Sequence, residues 1–275
     1  MPLKNKTVFI TGASRGIGKA IALRLAKEKA NIVIAAKSVR ENEVLGGTIF
    51  SAAGEVEKAG GKALAVQCDI RDEAMIQDAV AKTVDAFGGI DIVINNASAI
   101  ALTNTLETKT NRFDLMHDIN VRGTFLVTKH CLPYLIQSAH AHILTLSPPV
   151  NLSPQWLGVH VAYTISKYNM SLMAMGWAEE FKNVPVASNA LWPATTIDTA
   201  AVRNLLGGQE LVNRSRKPEI MADAAFYILS RLPGTCTGNC FIDEKVLKEE
   251  GITDLDPYAV LPGSKLYNDL FLDDK

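Results

Sequence analysis

Short apolar runs alternate with segments of helical periodicity along most of the chain. The runs predict strands at 7–11, 31–37, 63–70, 90–98, 141–147, 185–193 and 238–244. Apolar residues at helical spacing predict helices over 19–30, 51–59, 72–87, 112–137, 161–181 and 222–230. Strands that are apolar throughout and alternate with helices are typical of a parallel sheet buried on both faces. The predicted fold class is therefore α/β, a doubly wound parallel sheet of about seven strands with helices on both faces.

The rest of the chain is expected to belong to the same domain. A polar, glycine-containing insertion spans 38–50, and residues 246–275 are rich in turns and end in acidic residues. A length of 275 residues is compatible with one α/β domain. We therefore predict a single domain over 1–275, with 246–275 as a C-terminal extension packed on it.

Composition narrows the functional classes. The net charge is −1 and no block of Lys or Arg occurs, so no nucleic-acid partner is expected. The first residues show no signal-peptide pattern, and no apolar run is long enough for a membrane span. The four cysteines lack zinc spacing, so we expect reduced thiols, no metal site and a cytoplasmic protein.

A glycine-rich turn, TGASRGIG, lies between the first predicted strand and the first predicted helix. This is the context that a dinucleotide-binding turn requires. The glycines Gly12, Gly16 and Gly18 permit a tight turn, close approach to a pyrophosphate and close packing of helix on strand. Free N–H groups at the helix N-terminus then face the phosphates. Ser14 and Ile17 of the same turn are expected to contact the cofactor.

Charges near this turn favour NADP(H) over NAD(H). A preference for NAD(H) usually needs an acidic residue at the end of the second strand, to bind the ribose 2′-hydroxyl. That strand ends instead in Ala35-Ala36-Lys37, and Arg15 in the turn adds a second cation. Two basic groups suit a 2′-phosphate. The alternative is that Lys37 is merely solvated.

Tyr163 and Lys167 are four residues apart, so both side chains lie on one face of the predicted helix 161–181. A tyrosine with a pKa of about 10 is a poor base at neutral pH. A nearby lysine cation favours the phenolate and lowers that pKa. Tyr163 can then exchange a proton with a substrate oxygen while a nicotinamide exchanges a hydride with the adjoining carbon.

Four motifs occur in a fixed order: TGASRGIG, NNAS at 95–98, Asn120 in DINVRG, and Tyr163-x-x-x-Lys167. Together they resemble the short-chain dehydrogenase/reductase family, whose Rossmann fold this would be, over nearly the whole chain to about residue 245. The stretches IVIAAKS, SPPVNLSP, AYTISKY, NALWP and GNCFIDE are similar to its hydroxysteroid dehydrogenase-like branch. That branch includes proteins fused to a sterol-carrier domain and bacterial relatives assigned to citronellol/citronellal oxidation. No carrier domain is expected here.

The resemblance implies roles by position. Asp69 would bind the adenine amino group, Asn95 and Asn96 would lie beside the cofactor, and Asn120 would hold a water of the proton relay. Lys167 would also bind the nicotinamide ribose, and the backbone around Thr196 would meet the carboxamide. NNAS replaces the family's NNAG, and Pro193-Ala194 replaces its Pro-Gly. The tyrosine-bearing helix is a usual subunit contact, so a homodimer or homotetramer is expected.

The serine that usually accompanies the tyrosine is displaced in this sequence. Ser147 precedes Tyr163 by 16 residues, more than is usual in the family, and Pro148 and Pro149 follow it. Two prolines restrict φ and remove two N–H donors, so the chain must leave the strand differently here. Ser147 is the first candidate. Ser153, or no serine at all, are the alternatives.

The substrate is expected to be a small apolar alcohol or carbonyl compound. Trp156 and Leu157 are candidates for an apolar wall, His160 for the mouth of the site, and 198–209 for a covering segment hinged at Gly207-Gly208. The predicted function is NADP(H)-dependent interconversion of such an alcohol and its aldehyde or ketone, with Tyr163 as acid and base. The alternatives are a non-catalytic nucleotide-binding regulator or scaffold, and a lyase or dehydratase of the same family.

Overall fold

The computed structural model describes residues 2–41 and 46–273. In it seven parallel strands form one sheet in the order β3-β2-β1-β4-β5-β6-β7. The strands are β1 (Thr7–Thr11), β2 (Asn31–Ala36), β3 (Lys62–Gln67), β4 (Ile92–Asn95), β5 (Ala141–Leu146), β6 (Val186–Trp192) and β7 (Cys240–Ile242). The predicted α/β class and parallel sheet are confirmed. The chain order reverses between β1 and β4, which is where a doubly wound sheet opens a crevice.

Helices connect the strands and cover both faces of the sheet. They are α1 (Gly16–Ala26), α2 (Ile49–Lys58), α3 (Glu73–Phe87), α4 (Thr110–Met116), α5 (Thr124–Leu135), α6 (Pro154–Gly158), α7 (Val161–Glu180), α8 (Gly208–Asn213), α9 (Glu219–Ser230) and α10 (Asp243–Glu249). Apolar residues of α1, α2, α9 and α10 form the core on one face. Those of α3, α5 and α7 form the core on the other. The central strands are buried along their whole length because both faces are covered.

The structure corrects the long helix predicted over 112–137. It consists of α4, a π-helical stretch over His117–Gly123 and α5. The wider π-helical turn brings Asn120 to a fully buried position. Apolar periodicity alone does not reveal such a turn, because the residues on either side remain helical.

Several strands are shorter than their apolar runs. The predicted strand 90–98 ends at Asn95, because Thr11 Oγ1 accepts hydrogen bonds from the main-chain N–H groups of Asn96 and Ala97, each at 3.0 Å. The predicted strand 238–244 ends at Ile242, because α10 begins at Asp243. In both places the chain leaves the sheet at its carboxyl edge.

Residues 267–273, which we call the strap, run back across this carboxyl edge. Tyr267 O accepts from Thr196 N at 2.9 Å, and Asp269 N donates to Ala194 O at 3.1 Å. Residues 42–45 of the predicted insertion and 274–275 of the predicted extension lie outside the described residues. The single-domain organisation over 1–275 stays a prediction.

Candidate active site

Two adjoining cavities open at the carboxyl edge of the sheet, beside the point where the strand order reverses. The larger has a volume of about 600 Å³ and the smaller about 480 Å³. Their common lining residues are Ile17, Asn96, Ser98, Ile100, Thr199 and Ala201. A long ligand can therefore occupy both cavities along one cleft, which is the position that doubly wound folds use for dinucleotides.

The glycine turn between β1 and α1 lines the smaller cavity and leaves no room for side chains. Gly12 has φ +66°, and a Cβ there would lie 3.0 Å from the Cα of Ala97. A Cβ on Gly18 would lie 2.4 Å from Asn96 Nδ2, which donates to Thr11 O at 2.8 Å. The turn is thus held against the end of β4 by contacts that only glycine permits. Its shape fits the pyrophosphate of a dinucleotide.

Basic and hydroxyl groups surround the far end of the smaller cavity. Arg15 Nη2 donates to Ser38 Oγ at 2.8 Å and to Gly47 O at 3.0 Å, and burial lowers the pKa of Arg15. Lys37 is exposed on the same rim. Sequence reasoning missed Ser38, although a hydroxyl residue next to a strand-end lysine is a usable signal for a phosphate site.

Asp69 also lines the smaller cavity, where it is paired with a neighbour. Arg71 donates from Nε to Asp69 Oδ1 at 2.9 Å, and this hydrogen bonding holds the pKa of Asp69 below its usual range. A carboxylate has about four acceptor sites, so Asp69 can still accept a hydrogen bond from an amino group.

Asn95, which ends β4, and Asn96, which follows it, have different surroundings. Asn95 is buried and donates from Nδ2 to Thr128 Oγ1 of α5 at 3.0 Å. Asn96 lines both cavities. Asn96 therefore lies at the cleft, whereas Asn95, the last residue of β4, lines neither cavity.

Tyr163 and Lys167 both line the larger cavity from the first turns of α7. They are buried, at 5% and 2% exposure. Lys167 Nζ donates to Leu146 O at 2.6 Å and lies 5.1 Å from the centre of the Trp192 ring. Burial raises the pKa of Tyr163 and lowers that of Lys167 to about 7. Burial alone therefore opposes both charged forms, and neighbouring charges decide how the pair ionises.

Asn120 joins this pair to the loop after β4. Its Oδ1 accepts from Ala99 N at 2.8 Å and from Ser98 Oγ at 3.1 Å. Its Nδ2 donates to Ala99 O and to Ser166 Oγ, both at 3.0 Å. The side chain is thus fully engaged with protein atoms. A water held by Asn120 would have to use its main-chain carbonyl.

Ser147 is fully buried, and its Oγ has no hydrogen-bond partner in the described part of the chain. Leu146 lines the larger cavity, but Ser147 is not among the cavity's lining residues. The following Pro148 is tied to the catalytic helix, because its carbonyl accepts from Ser171 Oγ at 2.5 Å. Ser153 precedes α6 and is likewise not a lining residue. The serine role stays a prediction for both residues.

The loop after β6 is hydrogen-bonded to the strap. Thr196 lines the larger cavity, but its N–H donates to Tyr267 O at 2.9 Å and its carbonyl accepts from Arg216 N at 2.9 Å. Asp243 supports the same loop, with its Oδ1 accepting from Ala194 N at 2.8 Å. A carboxamide contact at Thr196 itself would therefore compete with the strap. Such a contact stays a prediction for this loop.

The larger cavity has mainly apolar walls, but not those expected from the sequence. Trp156 instead donates from Nε1 to Asp273 Oδ1 of the strap at 2.9 Å, and neither Trp156 nor Leu157 is a lining residue. His160 does line the cavity. The apolar lining residues include Ile100, Leu102, Leu146, Trp192, Ile197 and Leu270.

The predicted covering segment 198–209 also contributes to this cavity, through Thr199, Val202 and Leu206. Gly208 adopts φ +61°, which suits the proposed hinge. Closure of the segment stays a prediction.

The strap supplies two residues that the sequence did not single out. Asp269 lines the larger cavity together with Tyr163 and Lys167. Phe271 is 2% exposed and packs against four aromatic rings, including those of Tyr163 at 6.2 Å and Tyr168 at 5.2 Å between centroids. No local motif marks these positions, because only the fold returns a segment about a hundred residues downstream to the catalytic helix.

Residues 2–41 and 46–273 contain no group of three or more His, Cys, Asp or Glu side chains placed to bind a metal ion. Within the same residues, no helix has the length and apolar character needed to cross a membrane.

Comparison with curated proteins finds close relatives. Hydroxysteroid dehydrogenase-like protein 2 of Bos taurus is 58% identical over 269 residues, which cover 98% of this chain and 64% of that protein. The Homo sapiens protein of the same name is 57% identical over 268 residues, covering 98% and 63%. This chain thus spans less than two thirds of the length of these relatives.

Solved structures agree with this similarity over the whole chain. A crystal structure from Xanthomonas campestris, described as a dehydrogenase, has a TM-score of 0.96 and 53% identity, covering 100% of both chains. A short chain dehydrogenase of Mycobacterium thermoresistibile has a TM-score of 0.93 and 52% identity, covering 98% of this chain and 96% of that one. The family model described as short chain dehydrogenase matches residues 6–209. The chain belongs to this short chain dehydrogenase family, and over nearly its whole length it is similar to the hydroxysteroid dehydrogenase-like branch.

Proposed function

We propose that the protein is an NADP(H)-dependent oxidoreductase that interconverts an apolar alcohol and its aldehyde or ketone. One observation carries the proposal. Tyr163 and Lys167 lie together in the wall of an apolar cavity that adjoins the glycine turn. A proton donor, a cation that tunes it and a dinucleotide site thus share one cleft.

The residues around the smaller cavity fit NADP(H). The pyrophosphate would bind against the turn formed by Gly12, Gly16 and Gly18, with Ser14 and Ile17 beside it. The 2′-phosphate would bind between Arg15, Lys37 and Ser38. Asp69, Asn96 and Thr196 are the further candidates for contacts along the cleft. When bound, the nicotinamide supplies or accepts the hydride.

Tyr163 would transfer the proton to or from the substrate oxygen. Its burial disfavours the phenolate, so the nearby cation of Lys167 is needed to bring its pKa towards the working range. Asn120 holds the loop 98–99 against α7 through hydrogen bonds to Ser98, Ala99 and Ser166, and so links two walls of the cavity. Ser147 is the first candidate for polarising the carbonyl, and Ser153 or Tyr163 alone are the alternatives.

The larger cavity supports an apolar substrate. Its volume of about 600 Å³ lies within the usual range for small-molecule sites. More than half of its lining residues are aliphatic or aromatic, and the polar ones include Tyr163, Lys167 and Asp269. An aliphatic or terpenoid aldehyde, or its alcohol, matches this distribution. The name of the mammalian relatives, hydroxysteroid dehydrogenase-like, agrees with such a substrate.

The assembly and the cellular location belong to the same proposal. Apolar side chains of Val161, Ile165, Leu172 and Met175 are exposed along one face of α7. A second subunit would cover them in a homodimer or homotetramer. We further propose a cytoplasmic protein in which residues 1–275 form one domain.

Replacing Tyr163 with Phe tests the proposed function. The variant keeps the ring and loses the proton, so turnover should fall by roughly 10²–10⁴-fold. The assay follows NADPH oxidation with hexanal, decanal and citronellal, and NADP⁺ reduction with the matching alcohols. NADPH affinity, measured by fluorescence titration, should stay near the wild-type value.

Tyr168→Phe is the matched control, because Tyr168 is also buried on α7 but its hydroxyl donates to Asn151 O. It should retain most of the activity. Wild-type turnover in Tyr163→Phe would refute the assigned proton transfer. Tight NADPH binding by the wild-type protein, with no turnover of any of these compounds, would favour a non-catalytic nucleotide-binding protein.

A further inference from the structure

The strap carries a carboxyl group into the larger cavity. Leu270 N donates to Asp269 Oδ1 at 2.7 Å, while Oδ2 has no hydrogen-bond partner among the described residues. The main chain of Asp269 is fixed as well, through its N–H to Ala194 O at 3.1 Å. One carboxylate oxygen is thus held by the main chain, and the residue as a whole contributes to the cavity wall.

Anchors on the far side of Asp269 fix the strap in place. Phe271 packs within a group of aromatic rings and has φ +72°, a left-handed conformation that costs a non-glycine residue free energy. Its carbonyl accepts from Asn151 Nδ2 at 3.2 Å. Asp273 accepts from Asn151 Nδ2 at 3.0 Å and from Trp156 Nε1 at 2.9 Å. A conformation held from both ends places Asp269 reproducibly.

We propose that Asp269 is a positioning residue of the active site, whose carboxylate maintains the Lys167 ammonium on which Tyr163 depends. It lines the same cavity as both residues. The inference rests on the proposed function, because it concerns the Tyr163–Lys167 pair. It adds a further polar group to the predicted set of Tyr163, Lys167, Asn120 and Ser147.

The electrostatics of the cavity support this role. Burial lowers the pKa of Lys167 to about 7, and the charge of Asp269 acts in the opposite direction. Burial likewise raises the pKa of Asp269 to about 7, and Lys167 opposes that shift. Each group therefore favours the charged form of the other near neutral pH. Without the carboxylate, the buried lysine would lose its proton at a lower pH.

Other charges around Asp269 modify this effect. Asp243 faces it from the start of α10 and contributes to its raised pKa, while Asp269 itself raises the pKa of Tyr163. The remaining ionisable groups of the cavity lining are His160, Glu210, Arg214 and Tyr267. The direct action of Asp269 on Tyr163 disfavours the phenolate. Its benefit to catalysis must therefore pass through Lys167.

Asp269→Asn tests the proposal, because it keeps the size of the side chain and removes the charge. The basic limb of the kcat/KM profile, measured with decanal and NADPH, should move down by about one pH unit. NADPH affinity should weaken over the same pH interval, because Lys167 loses its charge beside the cofactor ribose. The affinity measurement decides the question even if decanal is not turned over.

Two variants accompany the test. Asp269→Glu keeps the carboxylate, so the basic limb of its kcat/KM profile should stay at the wild-type pH. Asp256→Asn removes an exposed carboxylate with no cavity contact, and should also leave both profiles unchanged. Melting curves of all variants verify that they fold.

Unchanged pH profiles of both kcat/KM and NADPH affinity in a folded Asp269→Asn variant would overturn the proposal. If Tyr163→Phe is inactive at the same time, only the role of Asp269 fails. If Tyr163→Phe is fully active, the proposed function itself fails. The two failures are therefore distinguishable.

Discussion

Arg15 occupies the position where the glycine turn meets the end of β2. Its guanidinium bridges Ser38 and Gly47, so it is already oriented by the protein. A guanidinium held in this way loses little conformational freedom when it binds a phosphate. In the proposed function, the preference for NADP(H) over NAD(H) would depend on a few side chains at the rim of the smaller cavity.

Replacing Arg15 with Ala should weaken NADPH binding by roughly tenfold to a hundredfold, because a charge-assisted hydrogen bond contributes about 1.5–3 kcal/mol. NADH binding should change little, because NADH has no 2′-phosphate. The measurement is a pair of fluorescence titrations of the wild type and the variant.

The control for this prediction is Lys19→Ala. Lys19 is a neighbouring cation on α1, but it pairs with Glu55 and is not a cavity-lining residue. It should affect both cofactors equally and weakly. An equal loss of NADPH and NADH affinity in Arg15→Ala would contradict the proposed phosphate contact.

Single residues also show the limits of reading from sequence. Asn95 and Asn96 are adjacent and chemically identical, but only Asn96 lines the cleft. Asn95 is the last residue of β4 and its side chain is bonded to α5, whereas Asn96 lies just beyond the strand, where the chain leaves the sheet. Sequence alone separates these two positions only when the end of the strand is known to within one residue.

At the scale of elements, α7 has two different faces. Tyr163 and Lys167 face the cavity, whereas the apolar face that includes Leu172 is exposed. An uncovered apolar helix face is suited to a subunit contact. In the proposed assembly, Tyr163 and Lys167 would lie close to that contact.

Leu172→Glu should disrupt this contact. Leu172 is 51% exposed in the single chain, so the substitution should not disturb the core. A charge in an apolar interface is costly, and the assembly should dissociate to a monomer of 29.7 kDa. Light scattering coupled to size-exclusion chromatography measures the mass.

Leu232→Glu is the control, because Leu232 is 69% exposed and lies outside α7. It should leave the mass of the assembly unchanged. A wild-type protein that is already monomeric at assay concentrations would contradict the proposed oligomer.

The strap is the element whose importance sequence reasoning underestimated. Residues 246–275 were expected to pack on the surface, yet 267–273 form part of the larger cavity and bond to the loop after β6. The strap reaches the cavity because it forms hydrogen bonds with the loop after β6, and both of these segments are irregular. Neither segment has a hydrophobic period from which such pairing can be predicted.

At the scale of the whole molecule, a buried histidine makes stability depend on pH. His142 is 1% exposed within β5, and burial lowers its pKa to about 4. Its Nε2 donates to Arg231 O at 3.1 Å, and Nδ1 has no partner among the described residues. The folded protein therefore favours the neutral ring, whereas the unfolded chain binds a proton near pH 6.5.

This stabilisation is fully present above about pH 6.5 and is lost as the pH falls towards 4. The free energy of unfolding should therefore be roughly 2 kcal/mol lower at pH 5 than at pH 7.5. His142→Gln should remove most of that dependence, because Gln can still donate to the carbonyl and does not titrate. Urea unfolding at both pH values gives the two free energies.

His117→Gln serves as the control, because His117 is half-buried on the π-helical stretch and its Nδ1 donates to Phe113 O at 3.1 Å. It should retain the wild-type pH dependence. An unchanged difference between the two pH values in His142→Gln would contradict the assignment to His142.

The architecture and the family could both be predicted from the sequence. Continuous apolar strands that alternate with amphipathic helices predict a parallel sheet covered by helices on both faces. The glycine turn together with Tyr163 and Lys167 indicates a short chain dehydrogenase. These signals are local, because they depend on spacing within a strand, a turn or one helix. They could therefore be read without coordinates.

The surroundings of Tyr163 and Lys167 arise only when the chain folds. Folding brings Asp269 and Phe271 to Tyr163 across about a hundred residues of chain and joins Ser38 to Arg15. It also buries Ser147, whose Oγ has no hydrogen-bond partner in the part of the chain that the structure describes. Contacts of this kind depend on how separate segments leave the sheet and pair with one another. The hydrophobic periodicity of the sequence cannot predict these contacts, because they arise from packing and hydrogen bonds between distant parts of the chain.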